Sequence, residues 1–223
     1  MPQEQLAFDK NYVLSIHLDY FRYLPPGYDK EPGKKWPMIL FLHGAGERGT
    51  DPDLVKRFGI ARIVEERDLP FITISPQCPE RHTWSDYLSA LDDLISLSID
   101  TLNVDPQRIY LTGLSMGGHG TWHLAAEYPN RFAAIAPVCG QAPRLAGFPD
   151  RAAEIAHIPC WVFHGAKDDI IPISASQVMV EKLRQCGAEV RFTIYPDAGH
   201  DAWTETYNNP ALYEWFLEHR RAG

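Results

Sequence analysis

The chain has 223 residues, of which 45% are apolar and 22% charged, with a formal charge of −8. That size and balance fit one globular domain spanning residues 1–223, and an acidic chain with no basic block excludes a nucleic-acid backbone as partner. No apolar run reaches the ~18 residues of a membrane helix. The opening MPQEQLAFDKNYVL lacks the basic-then-apolar layout of a secretory signal, so a cytoplasmic protein without membrane insertion is expected.

The first periodic segment, YVLSIHLDYFRY (12–23), alternates as an antiparallel strand does. LPPGYDKEPGKKWP (24–37) then reads as a loop, and MILFLH (38–43) as a short strand buried on both faces. Directly after it comes LHGAGERG (42–49), whose Gly44, Gly46 and Gly49 spell G-x-G-x-x-G. Two readings compete for this stretch. It could cradle a pyrophosphate at a helix N-terminus, or form a turn that offers its amides to a developing oxyanion. Glu47 counts against the first, because a carboxylate inside the turn repels a second anion. Glu47 and Arg48 could form a surface ion pair, order the loop or touch substrate.

Residues 53–66 can form a helix, and FITISP (71–76) is the next strand. Ser85 is a possible cap for a helix that places Tyr87, Leu88, Leu91, Leu94, Ile95, Ser98 and Ile99 on one face. Trp84, just before it, could wall a pocket or staple the helix entry. RIYLTG (108–113) and FAAIAPV (132–138) read as strands around a helix from about 116 to 128. CWVFHG (160–165) and VRFTIYP (190–196) follow the same pattern. A helix between them has Gly187 at its C′ position. A last helix opens at Asn209-Pro210, a cap with proline at the first helical position. Alternating strands and helices imply a parallel α/β sheet, whose chemistry lies at the carboxyl ends of its strands.

Three of those ends carry residues able to act together. GLSMGG (113–118) is G-x-S-x-G between a strand and a helix, the setting of a nucleophile at a strained turn whose neighbours two before and two after have almost no side chain. A serine there needs a base held by a carboxylate. HGAKDDIIP (164–172) supplies Asp168 or Asp169, and DAGHDAW (197–203) supplies His200, in the order serine, acid, histidine. Trp203 lies close behind that histidine and could also wall a pocket. His43, His119, His123 and His164 lack the spacing of a metal set, which favours core or surface roles. The four cysteines, Cys78, Cys139, Cys160 and Cys186, form no C-x-x-C pair and read as mostly buried, reduced thiols.

Taken in order, LPPGYD, HGAGERG, GLSMGG, HGAKDDIIP and GHDAW resemble the α/β-hydrolase-fold serine esterases. The resemblance covers most of the chain. It is greatest to the phospholipase/carboxylesterase group and to relatives of dienelactone hydrolases, poly(hydroxybutyrate) depolymerases and feruloyl esterases. It implies a mainly parallel sheet with helices on both faces, no cofactor or metal, and hydrolysis of small or exposed carboxylic esters through an acyl-enzyme. It also implies oxyanion donors at the amides of Ala45 and Met116, and through the ending Ile171-Pro172 it assigns the acid to Asp168. Lids in such proteins follow the strand after the elbow helix; the 21 residues 139–159 are too few for a cap domain. The alternatives are a small serine peptidase using the same three residues and a binding module without catalysis.

Overall fold

The computed structural model describes residues 5–10, 13 and 15–221. Among the described residues seven strands form one sheet in the order β1-β3-β2-β4-β5-β6-β7. They are β1 (Tyr20–Tyr23), β2 (Trp36–Leu42), β3 (Ile72–Pro76), β4 (Val104–Leu114), β5 (Ala134–Val138), β6 (Cys160–Gly165) and β7 (Val190–Tyr195). Only β1 runs antiparallel, against β3; all other pairs are parallel. The helices are α1 (Gly59–Glu66), α2 (Leu88–Thr101), α3 (Met116–Glu127), α4 (Ser174–Gln185), α5 (Trp203–Asn208) and α6 (Pro210–Glu218).

The sheet is covered on both faces, which is why its central strands are apolar throughout rather than alternating. Every residue of β2 is buried. Met38, Leu40 and Leu42 enter one core with Leu91, Ile95, Trp122 and Leu183 from α2, α3 and α4. Ile39 and Phe41 enter the other with Ile60, Tyr207, Leu212 and Phe216 from α1, α5 and α6. This is the α/β-hydrolase architecture. Between β5 and β6 the chain makes only short 3₁₀ turns at Arg144–Ala146 and Asp150–Ile155.

Four local expectations need correction. The first strand covers only Tyr20–Tyr23: Tyr20 pairs with Pro76, the last residue of β3, so the described residues before it have no strand to pair with. Tyr12 and Leu14 lie outside the described residues. The helix expected over 53–66 divides into a 3₁₀ turn (Pro52–Arg57) and α1, because Phe58 is extended between them. Ser85 does not cap α2. Thr83 and Asp86 form a capping box around the turn Trp84–Asp86, and α2 starts at Leu88. Finally, α5 was not foreseen; Asp201 starts it by accepting from the Thr204 amide and hydroxyl. The last helix does open at Asn209, whose side chain accepts from the Ala211 amide.

Candidate active site

At the carboxyl end of β4 the chain turns sharply into α3, with Ser115 at the corner in a backbone conformation (φ 51, ψ −113) that residues with side chains rarely adopt. Two glycines make the turn possible. A Cβ on Gly117 would lie 1.8 Å from the Leu42 carbonyl oxygen, and one on Gly113 would lie 2.5 Å from the Gly117 backbone. The strain is thus held by close approach of α3 to β2.

Ser115 Oγ lies 2.8 Å from His200 Nε2, and His200 Nδ1 lies 2.8 Å from Asp168 Oδ2. Ser115 and His200 remain half-buried, whereas the Asp168 side chain is fully enclosed. Its other oxygen accepts from the amides of Ile170 and Ile171 at 3.0 and 2.9 Å. Burial pushes the Asp168 carboxyl up, but the bond from His200 and those two amides outweigh it and hold the group below the ordinary carboxylate range. The loops carrying acid and histidine are tied together, since Ala166 and Lys167 donate backbone bonds to Tyr195 and Ala198.

The other aspartates are engaged elsewhere. Asp169 is exposed, Asp197 pairs with Lys167 at 2.7 Å, and Asp201 caps α5. Cys139 sits beneath the group at φ 42, its sulfur within 4.8 Å of the Asp168 and His200 ligand atoms. Burial pushes that thiol well up.

The stretch after β2 does not form a dinucleotide turn. Ala45–Glu47 makes one 3₁₀ turn, a second follows at Pro52–Arg57, and a helix begins only at Gly59, so the glycines do not open a helix as a dinucleotide turn requires. Ala45 is exposed and its amide opens the first turn; Met116 opens α3, where the helical pattern provides the first amides with no partner.

Glu47 and Arg48 do not form the surface pair. Glu47 is 4% exposed, and burial raises its pKa. Arg48 instead clamps the loop by donating to the carbonyls of Ala45 and His82. Gln77, which the sequence did not single out, donates to the carbonyls of Glu47 and Asp51 from below.

Trp84 is a further correction. It is fully buried, its Nε1 donates to the His43 carbonyl and its ring packs on the His43 imidazole. It therefore supports the loop from beneath and walls no open pocket. Trp203 meets the His200 ring edge-to-face at 5.3 Å and also packs on Phe58. An open cavity of about 410 Å³ lies between the loops that follow β5 and β6, lined among others by Gln141, Arg144, Phe148, Pro172 and Met179. No sequence motif points to it.

A family model described as phospholipase/carboxylesterase matches residues 70–209. The chain belongs to the phospholipase/carboxylesterase family. Among solved structures, a thermostable esterase is 35% identical and superposes with a TM-score of 0.79, over 92% of this chain and 60% of that one. A poly(3-hydroxyoctanoate) depolymerase of Pseudomonas fluorescens is 25% identical over 84% of this chain and 76% of its own length. A bifunctional acetylxylan esterase/xylanase of Neocallimastix patriciarum is 26% identical over 80% of this chain. Here the chain spans 26% of the relative, and it spans 22% of a second curated relative. No helix among the described residues is long and apolar enough to cross a membrane.

Proposed function

We propose that this member of the family is a carboxylic-ester hydrolase that works through Ser115, His200 and Asp168. The observation that carries the reading is the unbroken contact chain, Ser115 Oγ to His200 Nε2 and His200 Nδ1 to Asp168 Oδ2, at 2.8 Å each, on a strained elbow. The Ser115 hydroxyl donates to Nε2 and attacks the ester carbonyl as His200 takes its proton. Asp168 accepts from Nδ1–H, which fixes the tautomer and stabilises the imidazolium. The amides of Ala45 and Met116 are the proposed donors to the tetrahedral oxyanion, where negative charge grows. His200 returns the proton to the leaving alcohol, and water repeats the sequence to free the acid.

The substrate is proposed to be a small or exposed ester. Support comes from the short connection between β5 and β6, which covers nothing with an α-helix, and from the open cavity beside it. Esters rank ahead of amides because an alcohol leaves more readily than an amine. The test is Ser115→Ala, assayed on nitrophenyl esters alongside peptide amides, with a fluorophosphonate probe as a count of active serines. The folded variant should lose labelling and at least ~10³-fold in turnover. Near wild-type turnover would end the proposal, and amide hydrolysis matching ester hydrolysis would move the chain to the peptidase reading.

A further inference from the structure

Beside the acid lies a second histidine. His164, next to last in β6, is fully buried, and its Nε2 lies 2.8 Å from the Ile171 carbonyl oxygen and 3.1 Å from Asp168 Oδ2. Its Nδ1 lies 2.7 Å from the hydroxyl of Ser176, a fully buried residue in the first turn of α4. These neighbours decide the tautomer of the neutral ring. Two acceptors face Nε2, so the proton belongs there; Nδ1 is then bare and accepts from Ser176. The opposite tautomer would aim a lone pair at a carbonyl and a carboxylate inside the core.

The contact has a geometric consequence for the acid. Ile171 is held at both ends, its amide donating to Asp168 Oδ1 and its carbonyl accepting from His164. The loop is thereby wrapped around the carboxylate, and the positive edge of the His164 ring passes Oδ2 on the side away from solvent.

We propose that His164 is a positioning residue for Asp168, an inference that rests on the catalytic reading above. It acts in two ways. It pins the loop so that Oδ2 meets His200 Nδ1, and it offsets part of the charge that Asp168 presents to the imidazole. Other ionisable groups on the loops around His200 do not depend on it: the Cys139 thiol close to the ring, Asp201 bound by Thr204, and the exposed Lys167–Asp197 pair.

Three measurements test this. Nitrogen-15 spectra of the histidine-labelled wild-type protein should show His164 protonated at Nε2 with a bare Nδ1. His164→Leu should lower kcat by about 10-fold, the scale of losing one buried hydrogen bond that holds the loop, with KM unchanged. Its rise of kcat/KM with pH should also move to higher pH, because an unrelieved Asp168 makes His200 more basic. His164→Gln, which restores an amide N–H at similar reach, should recover most of the rate and the midpoint. A proton on Nδ1 in the wild type overturns the proposal even if the leucine variant fails to fold. So does a folded His164→Leu with wild-type kcat and midpoint, or a glutamine variant no better than leucine. Failure of the catalytic reading is seen separately, as turnover surviving in Ser115→Ala.

Discussion

Acid should weaken this fold through one buried ring, and His43 lets the size be worked out. Burial lowers its pKa from 6.5 to about 4. The neutral ring satisfies both its contacts: Nδ1–H donates to the Gly44 carbonyl at 2.6 Å, and Nε2 accepts from the Cys78 amide at 2.9 Å. A proton on Nε2 would set two donors face to face. The unfolded chain has no such conflict and takes the proton first. Because the folded value is the lower one, the stabilisation is complete above about pH 6.5 and is lost as pH falls toward about 4. At about 1.36 kcal/mol per unit the ceiling is roughly 3.4 kcal/mol, of which about 2 kcal/mol is gone by about pH 5. Against a total of roughly 5–15 kcal/mol that is a large share.

The assay is urea unfolding at about pH 7 and about pH 5 for the wild type and His43→Gln. Glutamine cannot titrate, and any cost of its altered packing is present at both pH values and cancels. His119 and His123, also lowered by burial, are common to both proteins. The wild type should lose about 2 kcal/mol more than the variant between the two conditions. Equal losses would refute the reasoning.

Three more outcomes are expected. Asp168→Asn should cost roughly 10²- to 10⁴-fold in turnover through the wrong histidine tautomer, while Asp169→Asn, at an exposed side chain, should be mild; the reverse ranking in steady-state assays would move the role to Asp169. Gly117→Ala would push a methyl to 1.8 Å from the Leu42 carbonyl, so urea unfolding should show a loss of about 3 kcal/mol or more. Hydrolysis of soluble short-chain esters should proceed without a jump in rate at the micellar threshold, because only 3₁₀ turns bridge β5 and β6; such a jump would argue for a closing element.

The strands were legible because interior parallel strands must be apolar on both faces, and MILFLH and CWVFHG announce that directly. Boundaries set by partners were not. β1 begins only at Tyr20 because β3 ends at Pro76, a fact of register invisible in the alternation of residues 12–23. The break at Phe58 likewise serves packing on Trp203 rather than any local propensity. In the site, the order of Ser115, Asp168 and His200 along the chain was readable, since each follows a strand. For Trp84 pocket wall and helix-entry staple stayed open, because the partner of its indole N–H, the His43 carbonyl, comes from another part of the chain.

The same limit explains why two histidines passed as bland. His43 and His164 each precede a glycine at or just beyond the end of a strand, in HGAGERG and HGAKDD. Each is buried, at 1% and 0% exposure, and each holds a loop in place: His43 ties its loop to the Cys78 amide of another, and His164 ties the Ile171 carbonyl of its own loop back to β6. Charge on either ring would place a cation in the core, so both are useful there as neutral rings with one donor and one acceptor, a pairing that few side chains offer. What the sequence presents as leftover histidines is one device used twice, once under the loop proposed to hold the oxyanion and once under the loop that carries the acid.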